Sequence, residues 1–156
     1  MRKQKGFSLI ELLIVVAIIL IIAAIAIPNL LRARIASNES SAVASIRTIN
    51  TAMVSYNSAY PSVGYATNLT ALTGTCTGGV IPTSTNACLI DSTLASGTKS
   101  GYTFGAAGTS GGYAAWATPV TVNTTGVNAF CSVSDAVVRE IAAPISTCAG
   151  TETPLQ

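Results

Sequence analysis

Residues 7–27 of this chain, F-S-L-I-E-L-L-I-V-V-A-I-I-L-I-I-A-A-I-A-I, form an apolar run whose only polar members are Ser8 and Glu11. As a helix rising 1.5 Å per residue, such a run spans roughly 31 Å, which is the thickness of the hydrocarbon core of a bilayer. Residues 1–6, M-R-K-Q-K-G, place three basic side chains before it. Because Lys and Arg accumulate on the cytoplasmic side of a span, the sequence predicts a membrane helix with a cytoplasmic N-terminus and an exported remainder.

Glu11 is the exceptional residue of this run, because a carboxylate inside a bilayer is costly unless a partner neutralises it. The run contains no Lys, Arg or His, so the remaining candidate partner is an α-amino group. An amino group would lie near Glu11 if the chain were cut just before the apolar run. The small residue Gly6, followed by Phe7, marks a suitable place for that cut.

The segment K-G-F-S-L-I-E-L-L-I-V-V-A-I-I, with Pro28 closing the apolar run, resembles the N-terminal signature of type IV pilins and of the related pseudopilins of type II secretion. In that family a prepilin peptidase cuts after the glycine, the new phenylalanine amine is methylated, and the glutamate pairs with the amine of a neighbouring subunit. The resemblance therefore implies cleavage between Gly6 and Phe7, N-methylation of Phe7, and subunit assembly through Glu11 and Phe7. It covers roughly the first 30 residues.

Two other interpretations of the apolar run are open. The tripeptide at residues 24–26, Ala-Ile-Ala, fits the A-x-A pattern at which secretory signals are cut, and this cut would release a soluble protein beginning at Ile27. The run is, however, longer than the apolar region of an ordinary signal peptide, and it carries an acid near its start. The second alternative is a simple single-pass anchor in which Glu11 has no role in assembly.

The predicted helix continues beyond Pro28, which removes one backbone donor and should kink it. Apolar residues recur after it at steps of three, four and seven, and this spacing lays one stripe along a helical face. The stripe consists of Ile35, Ala42, Ile46, Ile49, Met53, Tyr56 and Tyr60, and the opposite polar face of Asn38, Ser41, Ser45, Arg47 and Thr48. Pro61 disfavours helical geometry at the residue before it, so the helix is expected to end at Tyr60.

The composition changes after this helix to Gly, Thr, Ser and short alternating apolar runs. Residues 61–79 are predicted to be a connecting loop, and four strands are expected at residues 101–106, 113–118, 128–133 and 136–141. Short links between consecutive strands favour an antiparallel meander. The residues expected to face the helix are Tyr102, Phe104, Trp116, Phe130 and Val138.

The predicted fold class is therefore α+β, with a long N-terminal helix packed on a small antiparallel sheet of about four strands. Its parts are a leader at residues 1–6, a transmembrane and assembly helix at 7–27, an amphipathic helix at 28–60, and a globular head at 61–156. The resemblance implies the pilin fold.

All four cysteines lie in the predicted head, and they are Cys76, Cys88, Cys131 and Cys148. Disulfides persist in exported proteins, so two bridges are expected. The cysteine spacings include no C-x-x-C pair and the chain has no histidine, which does not resemble a zinc site. Three pairings are possible, and Cys76–Cys88 with Cys131–Cys148 is favoured because each bridge closes a short loop.

The composition argues against several functional classes. Without histidine, the Ser-His-Asp and Cys-His arrangements of nucleophilic catalysis are excluded, so we expect neither an enzyme nor a bound cofactor or metal. From residue 61 onward two basic side chains oppose four acidic ones. Such a head offers no basic surface for the phosphate backbone, and direct binding of nucleic acid is not expected.

These features predict a structural subunit of an extracellular type IV pilus. The precursor would lie in the inner membrane, be cut after Gly6, and then pack with copies of itself into a helical filament at the cell surface. The resemblance implies a prepilin peptidase and the inner-membrane pilus assembly machinery as partners. One alternative is a pseudopilin of type II secretion that forms a short periplasmic filament, and another is a membrane-anchored head for binding or adhesion. The sequence leaves open whether the filament serves adhesion, motility, DNA uptake or electron transfer.

We predict that the processed chain begins at Phe7 and carries one added methyl group. Intact mass and N-terminal sequencing of material sheared from the cell surface test this directly. Gly6→Val should block the cut, because the peptidase is expected to accept only a very small residue at that position. A chain beginning at Ile27 would establish the secretory signal instead, and a retained Met1 would establish the simple anchor.

Overall fold

The computed structural model describes residues 7–74 and 81–155. The chain divides into two compact units, Met1–Arg34 and Ile35–Gln156. Its main element is helix α1, Leu9–Ala59, which is 51 residues long and contains Pro28. The sequence predicted these limits to within two residues at the start and one at the end. The helix is continuous through Pro28, and the kink expected there stays a prediction.

Within the second unit, α1 buries one face against the sheet and the short helices. Its buried residues include Ala42, Ile46, Ile49, Met53 and Tyr56, all from the predicted apolar stripe. Ser45 was expected on the opposite face but is also buried. A serine is small enough to lie where the helix approaches its neighbours closely, so the apolar stripe underestimates the width of the buried face.

Six antiparallel strands form one sheet in the order β1-β2-β3-β4-β5-β6. The strands are β1 Thr98–Lys99, β2 Tyr102–Gly108, β3 Tyr113–Pro119, β4 Asn128–Val133, β5 Arg139–Ala142 and β6 Thr153–Pro154. The consecutive order confirms the meander, and the α+β class is confirmed with it. The prediction of about four strands missed β1 and β6, which contain two residues each and carry no alternating pattern that could identify them.

Two further expectations were wrong, one about the start of the fourth predicted strand and one about the loop that precedes the sheet. The fourth strand was placed from residue 136, but β5 begins at Arg139, because Ala136 has a φ of 58° in the turn that follows β4. The predicted loop at 61–79 contains a short helix, α2 Leu69–Leu72, and α3 Ser92–Ala95 follows later. Asn68 and Asp91 cap these helices by accepting backbone N–H groups, a signal that the sequence carried and that was not used.

The strand residues predicted to face the helix do so with one exception. Tyr102, Phe104, Phe130 and Val138 belong to the core beneath α1, whereas Trp116 does not. The buried positions of β3 are Tyr113, Ala115, Ala117 and Pro119, so the two-residue period places Trp116 on the other face. There it lies opposite Gly105 of β2.

We predict that Gly105→Ala destabilises the protein because a Cβ at this position would overlap the indole ring of Trp116. Overpacking of this kind costs about 1–3 kcal/mol in the free energy of unfolding. Gly111→Ala is the matched control, since a Cβ there meets nothing within 4 Å. Thermal and denaturant unfolding of the full chain in detergent measures both variants. Equal stability of Gly105→Ala and the unsubstituted chain would contradict the packing described here.

Candidate functional site

The N-terminal part of α1 is apolar on every side. One 18-residue window of this helix is long and apolar enough to cross a membrane, and none of it is buried within the chain. The large side chains from Phe7 to Leu31 are exposed, with Phe7 at 82% and Leu9 at 80%. A helix that is apolar all round must be covered by lipid or by other apolar surfaces.

Glu11 lies in the first turn of α1 and caps its own helix. The backbone N–H of Ser8 donates to Oε2 of Glu11 at 2.9 Å, and the N–H of Leu12 donates to the Ser8 carbonyl at 3.3 Å. Ser8 and Glu11 therefore occupy the first and last positions of the S-x-x-E pattern, in which the acid satisfies a backbone donor that the helix leaves free. The sequence contained this pattern, but it was interpreted only as an intramembrane acid.

The cap leaves part of the Glu11 carboxylate available. Only Oε2 accepts a hydrogen bond, and among the described residues no cation pairs with Glu11. An acid in the first turn is also favoured by the positive end of the helix dipole. The geometry thus holds the carboxylate near the exposed Phe7, with Oε1 free to accept a donor from another molecule. Gly6, the predicted residue before the cut, lies outside the described residues.

Polar residues of α1 bind the loop between β3 and β4. The side chain of Asn38 donates to the carbonyl of Thr125 at 2.8 Å. Glu39 Oε1 accepts the N–H groups of Val127 at 2.9 Å and Asn128 at 3.1 Å. The predicted polar face, which includes Asn38, is therefore only partly solvated. Asn38 and the adjacent Glu39 hold the start of β4 against the helix.

A buried asparagine fixes α1 on the sheet. Asn50 donates to Ser132 Oγ at 3.0 Å and to the Ala136 carbonyl at 3.2 Å, and it accepts from the Tyr113 hydroxyl at 3.1 Å. Burial, with smaller effects of Tyr65 and Asp135, raises the pKa of Tyr113 to about 12. The phenol therefore stays protonated and continues to donate to Asn50 at any physiological pH.

Disulfides constrain the head. Cys131 of β4 is bonded to Cys148, which is one of the two favoured pairs. Cys88 is also disulfide-bonded, and its favoured partner, Cys76, lies outside the described residues. Glu152 lies beside Cys131 and Cys148, but sulfurs joined to each other are not the thiolates that bind metals, so this group offers no metal site.

The segment that follows β4 is held by an ion pair. Arg139 is buried and its guanidinium donates two hydrogen bonds to Asp135 and one to the Val137 carbonyl. The hydrogen bond to Arg139 holds the pKa of Asp135 below its usual value. The pair ties the turn after β4 to β5, next to the strand that carries the disulfide.

The start of the chain matches a known motif. The family described as "Prokaryotic N-terminal methylation motif" matches residues 1–27. This match contains Gly6, Phe7 and Glu11, and it supports the resemblance that these residues carry.

Three curated proteins match a segment that is longer than this motif. The chain is 65% identical over 40 residues to the type IV wide pilus major component of Thermus thermophilus, covering 26% of this chain and 30% of that protein. It is 48% identical over 54 residues to the type IV major pilin of Myxococcus xanthus, covering 35% and 24%. It is 40% identical over 65 residues to the type II secretion system core protein G of Vibrio cholerae, covering 40% and 44%.

The aligned segments span less than half the length of each relative, and no solved structure matches the chain. The resemblance to type IV pilins and to type II secretion pseudopilins is confirmed for the N-terminal region. The alignments cover at most 40% of this chain, so the interpretation of most of the head rests on its own structure.

We predict that replacing the Cys131–Cys148 disulfide by Cys131→Ala with Cys148→Ala lowers the free energy of unfolding by about 3 kcal/mol, because a bridge of this loop length restricts the unfolded chain. Membrane insertion and the cut after Gly6 should be unaffected, since both depend on the N-terminal segment. Chemical unfolding of the full chain in detergent measures the first expectation, and intact mass of the exported protein measures the second. Unchanged stability would show that the bridge does not constrain the head.

Proposed function

We propose that this chain is a structural subunit of an extracellular type IV pilus. The observation that carries the proposal is the combination, on one continuous helix, of a prepilin-type N-terminus, a wholly exposed apolar segment and a folded head. A membrane anchor alone explains the apolar segment. It explains neither Glu11 at its start nor the small residue before Phe7.

In this proposal the precursor is held in the inner membrane by the apolar part of α1, with its N-terminus in the cytoplasm. A prepilin peptidase cuts after Gly6 and the Phe7 amine is methylated. The pilus assembly machinery then moves the subunit out of the bilayer, so that contacts with the apolar helices of other copies replace contacts with lipid. Each subunit presents one surface to the next and a different surface to the previous one, so the contact does not close on itself and a filament grows.

The heads form the outer surface of this filament, at the cell surface. The Cys131–Cys148 disulfide and the Asn50 network keep them folded after export. We propose no enzymatic activity, cofactor or direct binding of nucleic acid for this subunit. We expect these three properties to be absent because of the amino-acid composition.

A pseudopilin of a type II secretion system is the second candidate. It is supported by the match to core protein G, which is the longest of the three alignments at 65 residues. The pilus is preferred because the identity to the two pilins is higher, at 65% and 48% against 40%. Electron microscopy of sheared surface material, with mass spectrometry of its main component, separates long surface filaments from a short periplasmic one.

We predict that the charge of Glu11, and not its helix cap, is required for assembly. Glu11→Gln keeps an oxygen that can accept the Ser8 N–H, whereas Glu11→Ala removes it. Both variants should be exported and cut after Gly6, and both should lose most of their filaments, because neither can pair with the Phe7 amine of a neighbouring subunit. Filament yield in sheared material is the measurement.

Ser8→Ala is the control for this experiment. It retains the backbone N–H that Glu11 accepts, so filaments should form at near-normal yield. If Glu11→Gln assembled normally while Glu11→Ala did not, the cap would be the essential function of the acid and the intersubunit ion pair would be refuted. If both variants assembled normally, the anchored-head interpretation would gain.

A further inference from the structure

Three arginines of α1 have no partner in the part of the chain that the structure describes. The side chains of Arg32, Arg34 and Arg47 are exposed and make no hydrogen bond or ion pair there. The other two basic residues of this part, Lys99 and Arg139, pair with Asp91 and Asp135. All unpaired positive charge in 7–74 and 81–155 therefore lies on the long helix.

Among the described residues of the head, one carboxylate has neither an ion pair nor a hydrogen bond. Glu140 of β5 accepts no hydrogen bond from the described residues, and it lines an open groove of about 520 Å³. We call this the acidic groove, and its lining includes Asn128, Glu140, Ile141, Ala142, Thr151 and Glu152. Glu152 lines the groove, but its carboxylate is turned toward the disulfide, because Oε1 accepts the Ala149 N–H at 2.7 Å and Oε2 lies 3.5 Å from Cys148 Sγ.

The groove lies on the face of the sheet that α1 covers elsewhere. Glu140 is paired with Phe130, and Asn128 with Ala142. Residues directly opposite each other in an antiparallel pair project from the same face. Phe130 belongs to the core under α1, so Glu140 is on that same face, at the edge of the sheet where it is only half-buried.

A second carboxylate is bound to a residue that lines the groove. Glu39 of α1 accepts the backbone N–H of Asn128, and the Tyr102 hydroxyl donates to the Asn128 carbonyl at 2.7 Å. Burial, followed by the charges of Glu39 and Glu140, raises the pKa of Tyr102. The carboxylates of Glu39 and Glu140 therefore both lie near the start of β4, and they give this end of the sheet a negative charge.

We propose that the acidic groove is the docking site for the α1 segment at residues 30–34 of a second copy of this chain, with Arg34 placed against Glu140. The inference rests on the proposed function as a filament subunit and names the contact between heads and helices of neighbouring subunits. Charge complementarity supports it, because the unpaired arginines lie on α1, the acid without a partner among the described head residues is Glu140, and each subunit of a filament brings one copy of both.

The helical repeat selects Arg34 from the three arginines. Residues three and four apart share a helical face, whereas residues one and two apart do not. Arg34 is therefore on the same face as Leu30 and Leu31, which are 71% and 43% exposed, and Arg32 is not. A face with two leucines and one arginine matches a groove whose walls combine Ile141 and Ala142 with the Glu140 carboxylate. Arg47 has the small and polar neighbours Ala44 and Thr51 on its exposed face.

Chemical cross-linking of filaments tests the contact. Arg34→Lys keeps the positive charge and supplies an amine that a carbodiimide joins to a carboxylate in direct contact. Filaments assembled from an equal mixture of 15N-labelled and unlabelled subunits distinguish links between copies from links within one copy. We expect the substituted position 34 to be joined to Glu140 of another copy. The matched variants Arg32→Lys and Arg47→Lys should give at least fivefold less of this product.

A charge exchange provides a second measurement. Glu140→Arg should lower filament yield several-fold, because it places an arginine of the second copy opposite another arginine. Arg34→Glu in the same chain should recover most of the lost yield, and Arg32→Glu should not.

The outcomes separate this inference from the function on which it rests. Absence of filaments from the unsubstituted chain overturns both. If normal filaments form, three cross-linking results overturn the docking site alone: no link from position 34, a link only within single copies, or an equally strong link from Arg32→Lys. Normal filament yield from Glu140→Arg also overturns the docking site alone.

Discussion

The rest of the structure depends on the uncovered apolar half of α1. A soluble protein cannot leave a continuous run of leucine and isoleucine exposed on all sides, because removal of this surface from water is the largest favourable term available to it. In this chain none of the apolar window is buried by the chain itself. The segment must therefore lie in lipid or against other copies, and a protein that passes from the first environment to the second exchanges one apolar cover for another.

The second half of α1 shows the opposite arrangement, since its apolar face is covered within the same chain. Ile46, Ile49 and Met53 are fully buried beneath the sheet, and Asn50 adds a network in which each described polar partner is satisfied. A buried polar group is costly when unpaired. The register between α1 and strands β3 and β4 is thereby fixed, because a shift of the helix by one residue would break every bond that Asn50 makes.

The sequence predicted those helices and strands whose residues follow a recognisable pattern along the chain. The long helix and the four longer strands were located from apolar periods and from alternating or β-rich runs, although the fourth strand was placed three residues too early. Trp116 was assigned to the wrong face, although the alternation of Tyr113, Ala115 and Ala117 already placed it on the other side. Strands β1 and β6 contain two residues each and exist only because longer strands offer them an edge. No local pattern carries that information, and the acidic groove, which unites β4, β5 and the chain around β6, is equally invisible in sequence.

Glu11 illustrates how one residue can satisfy two environments. In a single subunit the carboxylate accepts the Ser8 N–H, so part of the cost of placing an acid in an apolar segment is offset by a helix end that needs an acceptor. This cap uses one oxygen and does not neutralise the charge. The remaining oxygen and the full negative charge are best satisfied by a cation held in an equally apolar place, where the attraction is least screened. In the proposed filament, the amine of a neighbouring Phe7 meets that requirement once the leader has been removed. Under that proposal the cap makes the unassembled subunit tolerable in the membrane, and the unneutralised charge makes the assembled state preferable.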